Sequence, residues 1–267
     1  MNGKTFLQRH SASIYFILVF LISWLGSFLS VGSKFLRGEV MDLSDVGLMA
    51  IPMLGGPFVA GILMTVLVDG KDGLGDLLSR MKKWNVGWRW YAPLLIFPIL
   101  LLLTSSSLSV AVSAELAPTF VAFGILMGLF AGFLEETGWM GFAFPKMSVK
   151  SNLLSAGIYL GVIHGFWHIL ADFLGNFNTL GGYWLPYFVG FFVHVVALRV
   201  LIVWVYANSE SLLLSMLMHT SSSGFFVTLI PTAIAPRNWA VFYPVYSVVL
   251  WIPAVAVILR YGRTLRA

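Results

Sequence analysis

Eight apolar segments, each about as long as a membrane-spanning helix, constrain this chain more than any other feature of its sequence. A helix needs about 20 mostly apolar residues to cross the hydrocarbon core of a bilayer. Inside lipid, a spanning structure must satisfy its backbone hydrogen bonds internally, so we expect an all-α, polytopic helical bundle. The segments lie at 13–31, 48–68, 90–112, 118–138, 153–173, 185–207, 211–230 and 240–260.

The composition supports a membrane protein without a soluble part. Of the 267 residues, 59% are hydrophobic and 10% are charged, whereas soluble domains carry about 25% charged residues. We therefore predict a single membrane domain over residues 1–267, located in the cell membrane and surrounded by lipids, with no nucleic-acid partner. The chain has no cysteine, which excludes disulfides, thiolate metal sites and a cysteine nucleophile.

The distribution of basic residues predicts the orientation of the bundle. If the chain begins in the cytoplasm, 13 of its 16 lysines and arginines fall on the cytoplasmic side, and such a bias marks that side of a membrane protein. We therefore expect both termini in the cytoplasm. The segment 71–89 is expected to lie along the cytoplasmic interface, because its tryptophans suit the headgroup region. The basic residues assigned to the cytoplasmic side are Lys4, Arg9, Lys71, Arg80, Lys82, Lys83, Arg89, Lys146, Lys150, Arg199, Arg260, Arg263 and Arg266.

A few ionisable residues lie within the apolar segments, where each costs about 2.5–3.5 kcal/mol to insert. His164, His168 and Asp172 are spaced four residues apart in the fifth segment, so they share one face of a helix. That face should point into the bundle, towards the other intramembrane polar groups. These are Glu135 and Glu136 in the fourth segment, His194 and Arg199 in the sixth, and His219 in the seventh.

Two carboxylates and several imidazoles in a dry pocket are suited to hydrolysis. A carboxylate can act as a general base on water, an imidazole can assist proton transfer, and together they can bind a divalent metal. Three of the polar residues have a simpler interpretation. His194 is interpreted as a hydrogen-bonded packing residue and Asp172 as a cap of the fifth segment, while Arg199 is either an interfacial anchor or part of the site.

Three motifs resemble those of the CAAX protease and bacteriocin-processing family, a group of intramembrane peptidases also called abortive-infection proteins. The run from Glu135 to Pro145, EETGWMGFAFP, resembles the first motif, and Phe166-Trp167-His168 resembles the second. The stretch from Arg199 to His219 resembles the third, in which a short hairpin leads into a helix that carries a histidine. The resemblance covers roughly residues 50–225, with a catalytic core at about 118–225.

The resemblance implies an intramembrane endopeptidase acting on a peptide or lipidated-peptide substrate. Glu135 would activate the water molecule with help from His168, and Glu136 would orient the site. His219 would support the oxyanion together with the residue four positions on, Ser223. Whether a metal takes part stays open. A bound ion, for which zinc is the candidate, would be held by Glu135, His164, His168 and His219.

Two departures from the family pattern keep other functions open. Met140 stands where the family often has arginine, so another group must balance the glutamate pair, and Ser223 stands where asparagine is usual. These departures motivate the alternative of a non-catalytic membrane partner, for example in bacteriocin immunity. A proton-coupled transporter that uses Glu135 and the histidines is a third reading, although no internal repeat supports it.

Overall fold

The computed structural model describes residues 6–231 and 233–267 and contains only helices and loops in that part of the chain. Lys4, one of the residues assigned to the cytoplasmic side, lies outside the described residues. Each of the eight predicted segments falls on a long helix. The helices are α1 (Ser11–Leu36), α2 (Leu43–Met81), α3 (Ile96–Ala111), α4 (Phe123–Gly138), α5 (Leu153–Leu180), α6 (Trp184–Ser209), α7 (Leu212–Leu229) and α8 (Pro236–Tyr261).

Six stretches of the described chain are long and apolar enough to cross a membrane, and one of them, Leu153–Ser209, contains both α5 and α6. The 16-residue α4 is shorter, but the helical path continues through a π-helical turn, Trp139–Ala143, and a short helix, Phe144–Ser148. The all-helical, multi-pass architecture predicted from the sequence is therefore confirmed. The cytoplasmic placement of the two chain ends stays a prediction.

A break at Gly70 divides α2 into two parts. Gly70 has φ of 66° and ψ of −152°, a conformation that glycine adopts far more readily than other residues. Beyond it, the helix continues to Met81 on the segment expected at the interface. Two tryptophans that follow, Trp84 and Trp88, are largely exposed, as side chains in the headgroup region would be.

Glycines allow α4 to pack closely against its neighbours and so position the glutamate pair. A stripe at Gly124, Gly128 and Gly132 faces α7, and a Cβ atom at Gly128 would lie 2.5 Å from the Cα atom of Gly224. At the other end of α4, a Cβ atom at Gly138 would collide with the carbonyl oxygen of Pro57 in α2. Small residues at helix crossings let backbones approach in this way in membranes.

We expect Gly128→Ala to destabilise the bundle, because the added methyl group meets backbone atoms of α7 that cannot move independently of the helix. Overpacking of this kind costs roughly 1–3 kcal/mol. The measurement is the thermal unfolding midpoint of the purified protein in detergent. Gly55→Ala is the matched control, since a Cβ atom there has no neighbour within 4 Å. Equal midpoints for the two variants would contradict the close packing.

Candidate active site

The two glutamates at the end of α4 are both buried, and they make different contacts. Glu135 is 3% exposed and Glu136 is 0% exposed. Adjacent residues on a helix point about 100° apart, so each carboxylate reaches a separate group of partners. The π-helical turn that follows continues the chain into a tightly packed region, in which Trp139 and Met140 have no exposed surface.

Glu136 forms an ion pair with an arginine from the middle of α6. The Nη1 atom of Arg199 donates to Oε2 of Glu136 over 2.6 Å, and neither side chain is exposed. The other oxygen, Oε1, lies 2.7 Å from Nδ1 of His219 in α7. An ionised carboxylate only accepts hydrogen bonds, so Nδ1 of His219 is the donor. Glu136 thereby joins helices α4, α6 and α7.

Arg199 also fixes the tautomer of His164. Its Nη2 atom lies 2.9 Å from Nδ1 of His164, and a guanidinium group can only donate. In neutral His164, Nδ1 therefore accepts and the proton is on Nε2. That Nε2 atom lies 3.0 Å from Oε2 of Glu135, so His164 donates to Glu135. A continuous chain of hydrogen bonds links Glu136, Arg199, His164 and Glu135.

Glu135 also faces a cavity of about 350 Å³ between α2, α4, α5 and α7. His168 and Ser223 line this cavity together with Glu135. A ring nitrogen of His168 lies within 4.8 Å of a carboxylate oxygen of Glu135, a distance that one water molecule hydrogen-bonded to both groups can bridge. Glu135 and His168 therefore lie close enough together to contact the same water molecule, as we expected from the sequence.

The expected metal ligands are only partly brought together. Glu135, His164 and His168 offer ligand atoms within 4.8 Å of one another, and these are donor types that zinc accepts. His219 is outside that group: Nδ1 contacts Glu136, and Nε2 lies 3.9 Å from Oε2 of Glu135. His164 has no free lone pair for an ion, because Nδ1 accepts from Arg199 and Nε2 donates to Glu135. As they are hydrogen-bonded here, the residues do not fit a metal held by both α5 histidines.

The sequence alone left open whether Arg199 is an interfacial anchor or part of the site. Counting it among the cytoplasmic basic residues was wrong, because its side chain is fully buried at the centre of the bundle. Arg199 supplies the positive charge that the family motif usually places at position 140. Met140 itself is buried in an apolar cluster. The signal that could have identified Arg199 was an unpaired cation about halfway along an otherwise apolar helix.

The other intramembrane polar residues have structural contacts. Nε2 of His194 lies 3.4 Å from the hydroxyl of Ser222, as expected for a packing residue. Asp172 accepts hydrogen bonds from Nε1 of Trp184 at 2.8 Å and from the hydroxyl of Tyr187 at 3.1 Å. It thus ties α5 to the start of α6 and also lines the cavity. The interpretation of Asp172 as a cap was wrong, because α5 continues to Leu180.

Comparisons with known proteins agree with these motifs. Residues 117–225 match a family described as Type II CAAX prenyl endopeptidase Rce1-like. The CAAX prenyl protease 2 of Methanococcus maripaludis is 24% identical over 234 residues, which cover 79% of this chain and 82% of that protein. Both findings support a relationship of this chain to the CAAX protease and bacteriocin-processing family. Members of this family are peptidases, and the matched segment contains both glutamates and the histidines of α5 and α7.

We expect Arg199→Met to destabilise the protein strongly, because it leaves the carboxylate of Glu136 buried without its cation. Breaking a buried ion pair from one side costs about 3–5 kcal/mol. The double variant Arg199→Met with Glu136→Gln should recover part of that loss, since it removes both charges. Thermal unfolding in detergent measures both effects.

The control for these two variants is Arg37→Met, which breaks an exposed ion pair with Glu39. Exposed pairs contribute at most about 1 kcal/mol, so the control should unfold almost as the wild type does. An Arg199→Met protein as stable as Arg37→Met would show that Glu136 does not depend on Arg199.

Proposed function

We propose that this chain is an intramembrane endopeptidase in which Glu135 activates a water molecule for attack on a peptide bond. The observation that supports this most is the pair of groups on the cavity wall. A carboxylate oxygen of Glu135 and a ring nitrogen of His168 lie within 4.8 Å of each other, both facing a cavity large enough to admit part of a peptide. A general base must be within hydrogen-bond reach of the water that it activates.

The chemical steps follow from these positions. Glu135 takes a proton from the water, and the resulting hydroxide attacks the carbonyl carbon, while His168 helps to orient the water. The oxyanion that forms is stabilised by two donors from α7, the hydroxyl of Ser223 and Nε2 of His219. Because Nδ1 of His219 already donates to Glu136, Nε2 donates in the protonated, imidazolium form of the ring. When the intermediate collapses, the carbon–nitrogen bond breaks and Glu135 passes its proton to the leaving amine.

The remaining polar groups hold Glu135 in place. His164 donates to one carboxylate oxygen, Oε2, and is itself oriented by Arg199. Glu136 neutralises Arg199 and fixes the ring of His219 through Nδ1, so that Nε2 of His219 points towards the carboxylate of Glu135. Such preorganised groups are most effective where water is excluded. The substrate would be a membrane-anchored peptide or lipidated peptide, and the protein would reside in the cell membrane.

We expect Glu135→Gln to abolish cleavage, because an amide cannot accept a proton from water at neutral pH. Membranes from cells that express the wild type or the variant at matched levels are compared by mapping peptide termini with mass spectrometry. Termini that disappear with Glu135→Gln identify the substrates. The control is Glu39→Gln, the same chemical change at an exposed turn, which should leave every terminus in place. Identical termini in all three samples, with folded protein present, would contradict a peptidase and favour a non-catalytic partner.

We further expect cleavage to persist after treatment with a strong chelator. The reason is that His164 uses both ring nitrogens in hydrogen bonds to Arg199 and Glu135, and that the imidazolium form of His219 has no lone pair for a metal. Glu135 and His168 are then the free ligands beside the cavity. Two protein ligands are fewer than the three that catalytic zinc sites use. The measurement is the rate of cleavage of a substrate identified by its termini, before and after chelation. Loss of activity that added zinc restores would overturn this expectation.

A further inference from the structure

A second cavity, of about 890 Å³, shares no lining residue with the cavity of Glu135. Its walls come from the last turns of α2, the first residue of α5, the hairpin between α6 and α7, and Arg266 beyond α8. Because spanning helices end at the surface of the bilayer, these walls lie at the level of the lipid headgroups. Trp84 and Trp88, which follow α2 in the chain, are residues of the type enriched at that level.

Basic side chains outnumber acidic ones in the wall of this second cavity. The wall holds two acidic side chains, Asp76 and Glu210, and four basic ones, Arg80, Lys82, Lys83 and Arg266. Nε of Arg80 donates to Asp76 over 2.8 Å, and Nζ of Lys83 lies 3.2 Å from a carboxylate oxygen of Glu210. Within the described part of the chain, Lys82 and Arg266 form no ion pair. Two positive charges are therefore available to an anionic ligand.

Arg80 connects the second cavity to the π-helical turn that follows the glutamates. Its Nη2 atom donates to the carbonyl oxygen of Gly141 over 2.9 Å, and its Nη1 atom donates to the hydroxyl of Tyr206 over 3.0 Å. With the bond to Asp76, three of the five N–H groups of the guanidinium are used and two remain. The cation is thus held in place before a ligand arrives, which reduces the entropy that binding costs.

Part of the wall of the second cavity is apolar. Phe144, Pro145 and Leu153 line it beside the cations, and the ring of Phe144 packs edge-on against Tyr206 with centroids 5.9 Å apart. A ligand that carries both a phosphate group and hydrocarbon chains contacts both kinds of wall. A free phosphate ion would leave the apolar part in contact with water, so the lining favours a lipid over a soluble anion.

We propose that the second cavity binds the headgroup of an anionic phospholipid. Lys82, Arg266 and the two remaining N–H groups of Arg80 contact the phosphate oxygens, since ammonium and guanidinium groups form charge-assisted hydrogen bonds to phosphate. The acyl chains begin along Phe144 and Leu153. Basic pockets between membrane helices recognise anionic headgroups in this way.

The bound lipid stabilises the region beside the active site. A phosphate at Arg80 keeps the guanidinium against the carbonyl of Gly141 and so supports the turn that continues the chain from Glu135 and Glu136. Because the binding site is built from other residues, it does not depend on the proposed peptidase function.

The test compares the wild type with the double variant Lys82→Gln with Arg266→Gln. Both residues are exposed, and neither replacement leaves an acidic partner unpaired, so we expect the double variant to fold. Lys71→Gln with Arg263→Gln is the matched control, because it removes the same two charges from exposed positions outside the cavity. Binding of a fluorescent phosphatidylglycerol to each purified protein is measured in detergent, and thermal unfolding checks the fold. Lys82→Gln alone replaces the double variant if the latter does not fold.

We expect the wild type and the control to bind phosphatidylglycerol equally, and the double variant to bind it at least about fivefold more weakly. Equal affinity for all three proteins would overturn the inference, as would a control that loses as much affinity as the double variant. Phosphatidylcholine that displaces the bound lipid as well as unlabelled phosphatidylglycerol does would also overturn it. Inorganic phosphate should not displace the lipid, and displacement would assign the cavity to a free anion instead. Lipid binding needs no peptidase activity, so this result is separate from the Glu135→Gln comparison.

Discussion

The buried ion pair between Glu136 and Arg199 is the interaction on which the rest of the site depends. Two adjacent carboxylates within a bilayer repel each other and lose their hydration, so at least one must have a cation or become protonated. Arg199 meets this need for Glu136 through one nitrogen of its guanidinium group and orients His164 with another. The planar, always charged guanidinium carries donors on separate nitrogens in a rigid fork, so it contacts both groups at once.

This network separates the tasks of the two glutamates. Glu136 is enclosed by Arg199 and His219 and has no exposed surface, so it organises the interior. Glu135 receives one hydrogen bond from His164 and otherwise faces the cavity beside His168. Identical side chains that are adjacent in sequence thus acquire different roles, because a helix turns by about 100° between them.

Close helix packing makes the network possible. The glycine stripe of α4 brings its backbone into contact with α7, which places His219 within hydrogen-bond reach of Glu136. At the other end, the contact of Gly138 with α2 precedes the π-helical turn. Such turns often occur at functional sites, and here the turn places large, buried side chains close to the glutamates.

The sequence by itself determined the membrane character, the eight helices and the residues that gather in the interior. Lipid leaves a chain with 20-residue apolar segments few alternatives to helices, and the spacing of His164, His168 and Asp172 places them on one face whatever the tertiary fold. Only the tertiary structure decided that Arg199 pairs with Glu136, which tautomer His164 adopts and that Glu135 faces the cavity. These features depend on side chains from helices far apart in the sequence, and no local pattern records how such helices meet.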